Sequence, residues 1–266
     1  MTNLRTYGQP PFRTVVVHGG PGAPGYMAPV AKELAATWGV LEPLQTATSI
    51  AGQVEELRGI VMENGDPPVR LIGSSWGAML GFLFAAQHSK LVGKLILIGS
   101  GVYEDQYATM IQETRFSRLA DGEQREGRAL LDTLAHPGIQ DKKAALARLG
   151  ALFTKADAFD PLTLDIEVVD HQYELHQSVW QEAQELRRSG RLLELGKRIQ
   201  CPVLALHGDY DPHPAEGVQK PLSAVVKDFR FLLLRNCGHL PWIERQARDS
   251  FYAILKEALV AGAEFG

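Results

Sequence analysis

Five short aliphatic runs, each closed by glycine or a polar turn, constrain this chain more than any other feature. They are TVVVH at Thr14–His18, VRLI at Val69–Ile72, KLILI at Lys94–Ile98, PVLALH at Pro202–His207 and FRFLLL at Phe229–Leu234. Such runs are too short for buried helices and lack the alternation of half-exposed strands, so they read as parallel strands covered on both faces. Gly39–Leu44 is a weaker strand candidate. Helical spacing fills the intervals, at Pro29–Trp38, Ala78–His88 and Ala215–Val226. A further helix is predicted over Ser49–Asn64, with Ser49 as N-cap and Val54, Leu57, Ile60 and Val61 on one face. Pro241–Val260 reads as a closing helix with proline in its first turn. Strand and helix in this rhythm imply an α/β fold, a mostly parallel central sheet with helices on both faces.

The rhythm breaks once. Between Glu104 and Leu195 no clear strand occurs, and helical patterns cover Met110–Leu119, Leu146–Phe153 and Val168–Arg188. The expected organisation is an α/β core made of residues 1–103 and 196–266, interrupted by a helical cap at 104–195. Both of its connections leave the sheet beside the loops that follow strands, so the insertion is placed to roof a site. Phe116, Phe153 and Trp180 are candidates for pocket walls, with the cap's own small core as the competing role for each.

Composition narrows the partners. The 266 residues carry a net charge of −4, with 45% hydrophobic and 22% charged residues and no basic block, which argues against nucleic acid or an acidic membrane surface. No apolar run approaches the ~20 residues that span a bilayer, and MTNLRTYGQPPFR lacks the apolar stretch of a secretory signal. The two cysteines, Cys201 and Cys237, lack zinc-like spacing. A cytoplasmic setting without a disulfide is expected, and the partner is expected to be a small-molecule substrate. Oligomeric state is not legible.

Gly73-Ser74-Ser75-Trp76-Gly77 follows the second aliphatic run and precedes a helical stretch. A G-x-S-x-G turn between strand and helix holds its serine in a strained backbone with the hydroxyl projecting, and side chains at the flanking glycines would collide with the two elements. Ser75 is therefore the candidate nucleophile; Ser74 is the rival hydroxyl but lacks the flanking glycine spacing. His18-Gly19-Gly20-Pro21-Gly22 follows the first run, and its backbone N–H groups suit a developing oxyanion. Proline has no N–H, so Gly20 is the preferred donor and Gly19 the second, joined by the N–H of Trp76. The alternative for this cluster is an ordinary turn. No phosphate-loop or dinucleotide motif is present.

His207-Gly208-Asp209-Tyr210-Asp211-Pro212-His213 follows PVLAL. Alternating histidines and carboxylates suggest a metal site, but the glycine and two prolines bend the loop away from an extended ligand ladder. An acid that orients an imidazole is the stronger role, and Asp209 suits turn chemistry better than Asp211. His239, in Asn236-Cys237-Gly238-His239, follows the last run. Ser75, Asp211 and His239 thus lie just past the ends of three predicted strands, where open α/β sheets place their sites, and in the order serine, acid, histidine described for α/β-hydrolases.

The sequence resembles the α/β-hydrolase superfamily over almost its whole length. GSSWG paired with HGGPG looks most like the proline iminopeptidase-type branch, and HGDYDPHP and CGHLPWIE look like the family's acid and histidine loops, which favours Asp211. By that resemblance, Glu104–Leu195 is the cap. Two stretches depart from the pattern: only about a dozen residues precede the first strong run, and GVLEPLQTATS replaces the common D-x-x-G-x-G-x-S. An aminopeptidase also needs cap carboxylates for a substrate ammonium. Glu167, Asp170, Glu174, Glu182 and Glu185 are available, but helical charge pairing supplies such residues anyway.

The expected activity is hydrolysis of a small-molecule ester or amide through Ser75, His239 and Asp211 and an acyl-enzyme, without cofactor or metal. A C–C bond hydrolase or acyltransferase on the same three residues, and a non-catalytic ligand-binding protein of the same fold, are the alternatives.

Overall fold

A computed structural model describes residues 3–136, 142–163 and 173–260. Seven strands form one sheet: β1 Leu4–Tyr7, β2 Thr14–Val17, β3 Val40–Pro43, β4 Val69–Ser74, β5 Val92–Ile98, β6 Val203–Gly208 and β7 Phe229–Leu234. Their order across the sheet is β1-β3-β2-β4-β5-β6-β7. Only β1 runs antiparallel, pairing Leu4 with Pro43 and Tyr7 with Val40. No sequence pattern announced β1. It pairs along the outer edge of β3, and Tyr7 Oη donates to the fully buried Glu42 at 2.6 Å.

Helices α1 Ala28–Leu34, α2 Ile50–Asn64 and α3 Trp76–Gln87 alternate with the first strands. Ser49 caps α2 as expected, its hydroxyl accepting from Gly52 N–H at 3.1 Å. After β5 come α4 Ile111–Ser117, α5 Asp121–Ala135, α6 Lys143–Asp157, α7 Tyr173–Arg188 and the short α8 Arg191–Glu194; α9 Glu216–Val225 and α10 Arg248–Val260 complete the described helices. The part of the expected Val168–Arg188 helix before Tyr173 lies outside the described residues, as do Glu167 and Asp170. No described helix is long and apolar enough to cross a membrane. Both cysteines are free and buried.

Strand alternation sorts the core into two layers. Val15, Val17, Leu71, Leu95, Leu97, Val203 and Ala205 face α2, α3 and α9. Val16, Ile72, Ile96, Ile98, Leu204 and Leu206 face α1 and α10. The period of two divides each aliphatic run between the faces, which is why these runs carry no polar side. Between β5 and β6, Leu175, Val179, Ala183 and Leu192 of α7 and α8 join the first layer, whereas Phe116, Leu119, Leu152 and Ala156 form a separate small core.

The expected closing helix is broken. Pro241–Ile243 is a single tight turn, and α10 starts only at Arg248. Glu244, fully buried in the gap, accepts N–H bonds from Gly238 at 2.9 Å, Phe159 at 2.9 Å and Asp160 at 2.8 Å. Satisfying three backbone donors from one buried carboxylate outweighs continuing the helix through this position.

Candidate active site

Ser75 sits between β4 and α3 with φ 54° and ψ −117°. Among the described residues only Asn236 is another non-glycine with positive φ, and such strain persists where surrounding structure enforces it. The enforcement is visible. Ser75 N–H bonds Ile98 O at 2.9 Å, and Cβ atoms at Gly73 and Gly77 would collide with the carbonyls of Gly77 and Val17 respectively. The turn therefore closes only with glycine at both places. Ser75 is partly exposed while Ser74 is buried. Ser75 Oγ makes no hydrogen bond among the described residues.

The HGGPG loop lies against this serine: a Cβ at Gly19 would stand 3.1 Å from Ser75 Cβ and 3.7 Å from its Oγ. His18, fully buried, orients the loop. Gln45 N–H donates to His18 Nε2 at 3.2 Å, so the ring's hydrogen is on Nδ1, which donates to Gly19 O at 2.8 Å. Burial pushes the His18 imidazole down to about 4, keeping it neutral. Across a trans peptide the N–H points opposite to the carbonyl. With Gly19 O held on His18, Gly20 N–H is turned away from that ring. Trp76 N–H is the first helical amide and has no intrahelical acceptor. Its indole is tied to Gln53 Oε1 at 2.8 Å, and Gln53 in turn donates to Ala47 O at 3.0 Å.

Asp211, just past β6, and His239, past β7, meet directly. His239 Nδ1 lies 2.7 Å from Asp211 Oδ2, with the carboxylate fully buried. Burial alone would raise the carboxyl. The charges of His239, His213 and His207 and the bond from His213 overturn that, holding Asp211 well below the usual carboxylate range. Burial opposes charging His239 too, but the charge and hydrogen bond of Asp211 raise it above 6.5. Asp209 serves elsewhere, accepting from Cys237 N–H at 3.2 Å and facing Arg235 at 3.8 Å.

Three residues of this neighbourhood escaped the sequence argument. His18 was noted only as part of a motif. Gly99, in the GSG after β5, has φ 50°, and a Cβ there would stand 2.5 Å from His239 O, 3.1 Å from its Nδ1 and 3.4 Å from Asp211 Oδ2. Its lack of a side chain makes room for the pair. His213 donates to Asp211 Oδ1 from both Nδ1 at 2.8 Å and its backbone N–H at 2.9 Å. One atom from each of Asp211, His213 and His239 falls within a mutual 4.8 Å, a spacing that a metal ion accepts. Both imidazoles, however, spend Nδ1 on the carboxylate, so these groups form a hydrogen-bonded cluster instead of a converging ligand set.

The helices between β5 and β6 reach this cluster. Asp157 O, at the end of α6, accepts His239 N–H at 2.9 Å, and the Asp157 carboxylate is held by both arms of Arg115 at 2.7 Å. Arg118 donates to Tyr210 O at 2.8 Å and lies 3.7 Å over its ring. On the other side His176 of α7 is hydrogen-bonded to Pro21 O at 2.9 Å and stacks on Trp180. Phe116 and Phe153 pack on one another in the separate small core, 5.9 Å between ring centroids, and Glu182 accepts from Ile50 N–H at 2.9 Å. A cavity of about 30 Å³ beside His239 is lined by Thr154, Asp157, Ala158, Leu240 and Ile243. A larger one of about 210 Å³ opens among Lys94, Val203, Asp228 and Arg230, at the opposite ends of the strands and remote from these groups.

Comparisons with known proteins agree on the fold. The family described as alpha/beta hydrolase fold matches residues 42–246. No curated protein matches the chain. Among solved structures, VinJ is similar with a TM-score of 0.66 at 20% identity, over 97% of this chain and 94% of that one. Proline iminopeptidase from Mycobacterium smegmatis is similar with a TM-score of 0.61 at 19% identity, over 97% and 94%. The thioesterase domain from the curacin biosynthetic pathway has a TM-score of 0.61 at 21% identity, over 97% and 94%. At such identities the likeness is one of fold.

Proposed function

This chain belongs to the α/β-hydrolase fold family, and from that premise we propose that it is a serine hydrolase of small-molecule esters or amides. The observation that carries the proposal is Ser75, a non-glycine residue held at φ 54° on the strand–helix turn, partly exposed beside a glycine loop. Strain of this kind has a use where a nucleophile must project.

His239 is the proposed base. Its Nδ1–H is committed to Asp211, which leaves the Nε2 lone pair to take the Ser75 proton as Oγ attacks the carbonyl carbon. Serine–base contacts in unliganded sites are often long and tighten with substrate. The oxyanion is received by the N–H groups of Gly20 and Trp76. The imidazolium then protonates the leaving alkoxide or amine, and water, deprotonated by His239, releases the acid and restores Ser75. Asp211 holds the tautomer and offsets the imidazolium charge. Residues 104–195 are proposed as a cap over this site, since their helices contact both the His239 loop and the HGGPG loop.

The experiment is hydrolysis of aryl esters and amino-acid arylamides by the wild type, S75A and S74A. S75A is expected to lose about 10⁴-fold or more in kcat and S74A to retain most activity. Turnover persisting in S75A at the wild-type rate contradicts the proposal.

A further inference from the structure

Asp211 serves two imidazoles, whereas orienting one base requires a single carboxylate oxygen. Oδ2 faces His239, and Oδ1 takes both hydrogen bonds from His213. The two rings stack, 4.8 Å between centroids at 30°, and both side chains are only 10% exposed. His213 is itself anchored, because its carbonyl is bonded to His207 Nε2 at 2.8 Å. The groups facing it are Asp211 on its own loop, His207 from β6, His239 from the loop after β7, and Arg115 of α4.

We infer that His213 is a positioning residue which fixes the rotation of the Asp211 carboxylate and sets the acid limit of the activity; the inference rests on the proposed roles of Ser75 and His239. Two effects follow from the ring Nδ1–H bond, which adds to the backbone N–H on the same oxygen. With Oδ1 pinned, the carboxylate cannot swing away from His239. A donor on Oδ1 also disperses the carboxylate charge, so Oδ2 attracts the His239 proton less than an unshared carboxylate would. Burial, His239 and Arg115 disfavour the charged form of His213 and Asp211 favours it, with a net downward shift. His213 therefore stays a neutral donor through the range in which His239 titrates. Activity requires neutral His239, so sharing the carboxylate extends activity toward lower pH.

The test is the pH profile of kcat/KM for a short aryl ester in wild type, H213F and H213N, with labelling by a fluorophosphonate run beside it. Phenylalanine keeps a ring against His239 and removes only the side-chain donor, the backbone N–H to Oδ1 remaining, whereas asparagine restores a side-chain N–H donor. In H213F the acid-limb midpoint is expected to rise by about 0.5 pH unit or more, a threefold change in proton affinity, with kcat lower. In H213N the midpoint should return toward wild type. If H213F does not fold, H213A provides the arm without a side-chain donor. Coincident midpoints in all folded variants overturn the inference, even if kcat falls, because a purely structural role lowers rate without moving the midpoint. A folded wild type that neither labels nor turns over ester overturns the underlying proposal and this inference together.

Discussion

At the scale of single residues, two carboxylates only two positions apart in the sequence are separated by what they touch. Asp211 is buried against imidazoles, and Asp209 ties Cys237 N–H near Arg235 at the surface. D211N should lower kcat on the order of 10⁴-fold through loss of the tautomer and of the imidazolium's partner. D209N should cost less than about tenfold, as expected for one ordinary hydrogen bond. Steady-state kinetics on the two variants decide it, and equal losses would leave the acid unassigned. Because Asp211 raises His239 above 6.5, the imidazole gains its proton earlier as pH falls. The activity should decline through a midpoint above that value, and a kcat/KM profile with its acid limb below 6.5 would contradict the assignment.

At the scale of elements, the aliphatic runs were legible because burial on both faces leaves a continuous apolar signal. The strand-end residues Ser75, Asp211 and His239 could be picked out because each follows such a run. What was hidden depended on partners remote in sequence. LRTY carries no strand pattern, and β1 forms because β3 offers it an edge and Glu42 a bond for Tyr7. The helix α5, Asp121–Ala135, is mostly polar on its surface and was not picked out at all. His18, Gly99 and His213 have no distinguishing local pattern; their roles come from Gly19, His239 and Asp211, each brought close by the fold. The break before α10 was missed for the same reason, since Glu244 reads as an ordinary helical glutamate until Phe159, Asp160 and Gly238 surround it. E244Q keeps one acceptor oxygen and loses the other and the charge. It should destabilise the protein by about 1–3 kcal/mol, measured by denaturant unfolding. An unchanged midpoint would show that the carboxylate is not what breaks the helix.

At the scale of the whole molecule, a neutral buried histidine makes stability depend on pH. His18 sits at about 4 in the folded protein against an ordinary 6.5, so the unfolded chain binds its proton first. Stability from this residue is complete above 6.5 and is lost as pH falls from there toward 4, reaching on the order of 3 kcal/mol. Unfolding curves at stepped pH should show that decline, reduced in H18Q. The helices between β5 and β6 are bonded to the histidine loop at one end and the HGGPG loop at the other, and as the proposed cap they would restrict a long acyl chain. A p-nitrophenyl ester series should therefore show kcat/KM highest at short acyl lengths, and a steady rise toward long chains would require an open site. The central claim is that Ser75 is the nucleophile. It is tested most directly by treating folded wild type, S74A and S75A with a fluorophosphonate and locating the adduct by peptide mass spectrometry. The account predicts modification of Ser75 in wild type and S74A and none in S75A; an adduct on Ser74, or a folded wild type left unmodified, would contradict it.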